Sequence, residues 1–168
     1  FPEFWYSWRL QIPVFARHYR VVAPDLRGYN LSSRPPGVRS YGIEHLVDDV
    51  HGLIEALGEK RAIVCGHDWG GAVAWTFAAT RPAATERLIV GNCPHPQVLA
   101  QHLWRNRRQR RRSWYMAWFQ LPWLPEYQVL RDPLQFVRGV FRSTAVRKDA
   151  FSDEDLRLYA EALARPGA

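Results

Sequence analysis

A chain of 168 residues with 47% apolar content is long enough to bury one ordinary core and too apolar to remain disordered. Its net charge of +7 is local, because RNRRQRRR at 105–112 carries six arginines and the rest of the chain sums to only +1; a uniformly basic polyanion-coating protein is therefore excluded. No run of about 18 apolar residues predicts a spanning helix, and no basic-then-apolar leader is visible, although the chain opens on Phe1 and an earlier segment could carry one.

Residues 3–17, EFWYSWRLQIPVFAR, space their aromatic and aliphatic residues as a helix does, with Pro13 as an irregularity. YRVVAPDLRG predicts a short buried strand at 21–23 running into a turn, and LSSRPPG at 31–37 predicts a loop. The helix over 43–58 is the clearest element. Leu46, Val47, Val50, Leu53, Ile54 and Leu57 form one apolar stripe, and Gly58 suits the C-terminal cap. RAIVCG at 61–66 predicts a strand, GAVAWTFAATRP at 71–82 a helix stopped near Pro82, and RLIVGNC at 87–93 another strand. Strand, helix, strand, helix, strand in that order predicts a parallel α/β sheet.

After PHP at 94–96 the alternation ends. Residues 97–168 predict aromatic-rich helices, broken at LPWLPE and RDP, with Ser152 followed by Asp153, Glu154 and Asp155 as a helix start. The expected organisation is residues 1–96 as a partial α/β core and 97–168 as an incomplete helical cap. Cys65 and Cys93 each close an apolar run. They predict small buried hydrophobes, with no metal-ligand spacing, and a cytoplasmic setting.

GHDWGG at 66–71 carries the chemistry. It follows the apolar run AIVC and precedes a helix, the setting in which a sharp turn lifts one residue above the sheet edge. The pattern Gly66, His67, Asp68, Trp69, Gly70 is the nucleophile elbow with Asp in the nucleophile slot, and Gly71 adds a further small residue. A carboxylate is ionised at neutral pH and needs no base to attack a saturated carbon, such as that of an epoxide or a carbon–halogen bond. The resulting ester is opened by water with the help of a general base, and the oxyanion needs N–H donors, of which Trp69 offers one. A helix N-cap is the structural alternative for Asp68.

The chain resembles the epoxide hydrolases of the α/β-hydrolase superfamily, through FPEFWYSWR, VVAPDLRGYN, SSRP, GHDWGG, PHP and SWYMAWFQLPWLPE in family order. The resemblance implies a partial α/β-hydrolase parallel sheet with a helical cap segment, and opening of an epoxide to a vicinal diol without a cofactor or metal. It assigns Asp68 as the nucleophile and the N–H groups of Phe1 and Trp69 as the oxyanion hole. It also makes Tyr115 the first of two cap tyrosines that donate to the epoxide oxygen, a role suited to a neutral phenol. Packing within the cap is the alternative for Tyr115.

Relative to that family, the N-terminal strands, the second cap tyrosine, the acid and the catalytic His are expected to lie outside this chain. None of His18, His45, His51, His67, His95 and His102 offers an identifiable orienting acid, and each is read as non-catalytic. The isolated chain is thus expected to form the ester without turning over. A haloalkane or haloacid dehalogenase of the same fold, an inert truncation, and a basic binding module using 105–112 are the alternatives. The expected partner is a small apolar epoxide, with neither a membrane nor a nucleic acid foreseen and the oligomeric state open. Trp104, Trp114, Trp118, Phe119 and Trp123 suit either an apolar substrate pocket or cap packing.

Overall fold

A computed structural model describes residues 1–147 and 149–166. Its elements in chain order are α1 (Ile12–Phe15), α2 (Ile43–Ala56), β1 (Ala62–His67), α3 (Trp69–Thr80), β2 (Thr85–Gly91), α4 (Pro96–Arg105), α5 (Arg107–Arg112), α6 (Trp114–Trp118), α7 (Leu124–Arg131), α8 (Pro133–Thr144) and α9 (Asp153–Leu163). The fold is α/β, as expected. It divides into two compact units, Pro36–Trp118 on one hand, and Phe1–Pro35 with the chain from Phe119 onward on the other.

The first of these units holds the sheet. β1 and β2 pair in parallel, from Ala62 opposite Thr85 to His67 opposite Gly91. α3 connects them and packs on both, as a parallel crossover requires. Its Val73, Ala74 and Phe77 are buried together with Val47 and Ile54 of α2. The remaining stripe residues of α2 are half-buried, so the 3.6-residue period located the core face correctly. Gly58 ends α2 at φ +80°. The N–H of Glu59 reaches back to the Ile54 carbonyl at 3.1 Å, which closes the helix in the manner of a Schellman motif.

The second unit is built around α7, α8 and α9. Val129, Val137, Phe141, Leu156, Tyr159, Ala160 and Leu163 form its core, with Phe4, Tyr6, Leu134, Phe136 and Phe151 packed against it. The breaks foreseen from LPWLPE and RDP become helix starts. Pro125 and Pro133 occupy first-turn positions, where a missing N–H costs nothing, and Asp132 accepts from the Gln135 N–H at 2.9 Å. Ser152 and Asp155 form a reciprocal capping box at the start of α9.

Three expectations are corrected. Residues 21–23 form no strand, because no neighbouring strand among the described residues pairs with them. The helix foreseen over 3–17 is a 3-10 turn at Trp5–Trp8 followed by the short α1. Pro13 lies in the first turn of α1, so the proline opens a helix where a break was expected. Cys65 is exposed on β1 and only Cys93 is half-buried, so neither is fully enclosed among the described residues. Gly167 and Ala168, at the end of ALARPGA, lie outside the described residues.

Candidate active site

The turn from β1 into α3 places Asp68 at φ +51° and ψ −122°, a conformation that costs a non-glycine residue about 1–3 kcal/mol. Neighbouring glycines make the turn possible. A Cβ on Gly66 would stand 2.2 Å from the Gly70 carbonyl oxygen, and one on Gly71 would stand 2.5 Å from Cys93 Cβ. A Cβ on Gly70 would meet nothing within 4 Å. The steric demand thus falls on Gly66 and Gly71, whereas Gly70 contributes the backbone that Gly66 must admit. Sequence pattern alone had placed the second demand on Gly70.

Asp68 occupies the N-cap position of α3, yet its side chain makes no capping hydrogen bond. It is half-buried. A carboxyl with the ordinary value of about 4 is an anion at neutral pH. The Asp68 N–H itself reaches the Gly91 carbonyl at 3.4 Å, tying the elbow to the end of β2.

The segment after β2 is also ordered around the elbow. Asn92 takes φ +47°, and the carbonyl of Cys93 accepts from the Trp75 indole N–H at 3.2 Å. Burial and the nearby Asp68 charge both push the Cys93 thiol up, so it stays protonated. The His95 ring meets Trp75 at a centroid distance of 5.1 Å, and its Nδ1 accepts from the Gln97 N–H at 3.3 Å to start α4. Sequence reasoning did not identify Trp75 or Cys93 as supports of this turn, and a Trp within an Ala-rich helix gives no pattern that would do so.

Among the expected site residues, Asp68 and the Trp69 N–H are brought together, while the Trp69 side chain is exposed. Tyr115 lies on α6 in the same unit; its side chain is exposed and its phenol makes no hydrogen bond among the described residues. Phe1 belongs to the other unit, where its ring packs edge-on against Phe119 at 5.3 Å. The histidines hold one surprise. His51 is half-buried against Phe77 and has an acid partner, Glu55, at 3.7 Å, so the expectation that it lacks one is corrected. The pair joins positions four apart on α2, a local helical contact. Among the described residues, no cluster of His, Cys, Asp and Glu could hold a metal, and no helix is long and apolar enough to cross a membrane.

Residues 1–121 match the family described as the alpha/beta hydrolase fold. The chain belongs to the α/β-hydrolase fold family. An AB hydrolase superfamily protein of Bacillus subtilis is 47% identical over the whole of this α/β-hydrolase chain and 59% of its own length. Epoxide hydrolase 1 of Caenorhabditis elegans is 41% identical over the whole chain and 42% of its own length, and human epoxide hydrolase 4 is 38% identical over the whole chain and 48% of its own length. The crystal structure of an epoxide hydrolase from Bacillus megaterium, in complex with an inhibitor, superposes with a TM-score of 0.89 at 38% identity. It covers 96% of this chain and 57% of that one. The chain thus spans about half the length of the curated relatives it matches.

Proposed function

We propose that this α/β-hydrolase chain supplies the nucleophile and part of the cap of an epoxide hydrolase. The observation that carries the reading is the elbow geometry: a carboxylate on a strained turn, with Gly66 and Gly71 leaving no room for a Cβ, and not engaged in capping its helix. The relatives named epoxide hydrolases support the substrate class. In this reading residues 1–96 contribute to the core and 97–168 to the cap.

The reaction follows from the chemistry of a carboxylate. An Asp68 oxygen attacks an epoxide carbon and the C–O bond of the strained ring breaks. The departing oxygen takes a proton from the Tyr115 phenol, leaving a hydroxyl beside the new ester. Water then attacks the carboxyl carbon of Asp68. The negative charge gathers on a former carboxylate oxygen, held by the N–H groups of Trp69 and Phe1. Collapse expels the ester oxygen, which takes the proton the base removed from the water; the proton left on the Asp68 carboxyl passes to the Tyr115 phenolate, so the vicinal diol leaves with both residues restored. The base for the water step is assigned to a histidine of the whole protein other than the six present here.

Intact-mass spectrometry after incubation of the chain with styrene oxide tests this. One covalent adduct per chain, absent from Asp68→Asn, is expected, with no sustained release of diol. An unmodified chain, or an adduct that persists in the variant, overturns the reading.

A further inference from the structure

Between Glu86 and Glu126 the chain contains no acidic residue, yet this stretch holds the six arginines of 105–112. The structure does not neutralise them. All six are exposed, and none makes an ion pair with any described residue. α5 is started by Asn106, whose side chain accepts from the N–H groups of Arg108 and Gln109 at 2.9 and 3.2 Å. Its one residue without charge, Gln109, turns inward and donates to the buried Ser113 at 3.0 Å. Arg110 donates to the Trp104 carbonyl at 3.1 Å, and the arginines remain exposed, where like charges three and four residues apart repel one another.

The flanks of this helix are aromatic. Trp104 at the end of α4 is 83% exposed and Trp114 at the start of α6 is 64% exposed. On α4, Leu99 and Leu103 are half-buried while Val98 is exposed, so the apolar surface continues outward. An unneutralised arginine cluster beside outward indoles has the composition of a helix that lies in a membrane interface.

We propose that the α4–α5 surface docks peripherally on a bilayer rich in anionic phospholipid. The guanidinium forks take lipid phosphates in bidentate fashion, and the rings of Trp104 and Trp114 settle at the headgroup level, with their N–H groups toward water. A bilayer fits better than a polynucleotide because the two indoles sit singly at opposite ends of the basic helix. A stacking platform for successive bases needs them adjacent. This revises the expectation that no membrane is a partner, which rested on the lack of a spanning segment; surface docking requires none. It is independent of the epoxide chemistry, since no residue named here takes part in it.

The test is flotation of the 168-residue chain with vesicles of phosphatidylcholine alone and with about one third phosphatidylserine. Binding is expected only with phosphatidylserine, and is expected to be lost near 0.5 M NaCl, where the screening length falls to roughly 4 Å. Arg108→Ser with Arg111→Ser should lower the partition coefficient about thirtyfold, from roughly fivefold per arginine. Trp104→Ser with Trp114→Ser should remove quenching of tryptophan emission by brominated lipid. Far-UV circular dichroism of each variant should match the parent, all four sites being exposed. The proposal is overturned if the parent ignores phosphatidylserine vesicles or binds them equally at both salt concentrations. It is also overturned if the arginine variant binds as tightly as the parent, or if the chain retains a single-stranded oligonucleotide while ignoring vesicles.

Discussion

Gly66 and Gly70 occupy the same short turn, and a methyl group added to each should act in opposite directions. At Gly66 the new Cβ would meet the Gly70 oxygen at 2.2 Å, the Gly70 carbonyl carbon at 2.5 Å and the Gly71 nitrogen at 2.8 Å. Ordinary contact begins at 3.4 Å, and every opposing atom is backbone, so no side chain can swing aside. The first turn of α3 has to retreat by roughly 1 Å, most of one residue's rise along a helix. Overpacking of a buried site costs about 1–3 kcal/mol, and a backbone obstruction belongs at the upper end. At Gly70 there is nothing to strike, and Ala in a helix is favoured over Gly by about 1 kcal/mol. Urea denaturation followed by circular dichroism separates them. With a slope near 2 kcal/mol/M, Gly66→Ala should lower the midpoint by about 1–1.5 M and Gly70→Ala should raise it by up to about 0.5 M. Equal shifts for the two variants, or a neutral Gly66→Ala, would refute the claim that the elbow closes on its own backbone at residue 66.

Two further outcomes concern the charged groups. An aspartate carboxyl is ionised above its ordinary value near 4, so the rate of styrene oxide adduct formation at Asp68 should be flat from about pH 8 to pH 5 and fall only below about 4. A rate that rises with pH through 6–7 would point to a histidine or thiol as the alkylated group. Asp155 accepts from the Tyr6 hydroxyl at 3.0 Å and from the Ser152 N–H at 2.8 Å, and pairs with Arg9 at 2.9 Å. Burial acts to raise its pKa, and the Ser152, Tyr6 and Arg9 contacts overcome this and lower it. A carboxyl with a depressed folded pKa contributes stability above its unfolded pKa and loses it as the pH falls through the folded one. Asp155→Asn should therefore cost about 2 kcal/mol at pH 7 and progressively less below pH 4. A cost that stays constant down to pH 2 would mean that the charge is not what matters.

How much of the fold and the site was legible in the residues depends on the range of the interaction involved. α2 was readable because its stripe repeats every turn and Gly58 ends it, signals carried within fifteen residues. The Ser152–Asp155 box and the prolines opening α7 and α8 are equally local. Asp68 was readable because an elbow is a local event, with glycine spacing that reports backbone crowding. Residues 21–23 misled for the converse reason: their composition suits a strand, but a strand exists only where a partner supplies its hydrogen bonds, and that partner is not written in the segment itself.

The contacts that organise α9 were wholly illegible. Ser7 meets the Tyr159 hydroxyl at 2.9 Å across 152 positions, Tyr6 reaches Asp155 across 149, and Phe4 packs edge-on against Tyr159 at 5.4 Å. No period or motif links FPEFWYSWR to the final helix, so sequence reading treated the first as the start of a core and the second as part of a cap. Their union has a consequence for the chemistry proposed. FPEFWYSWR begins with Phe1, whose N–H is the second donor assigned to the oxyanion, and its other residues are bound to α9 by aromatic packing, two hydroxyl contacts and the Arg9–Asp155 pair. FPEFWYSWR and the last helix therefore belong to one packed body. Asp155→Asn is therefore expected to loosen FPEFWYSWR together with α9, while styrene oxide adduct formation at Asp68, on the turn built from β1 and α3, stays unchanged.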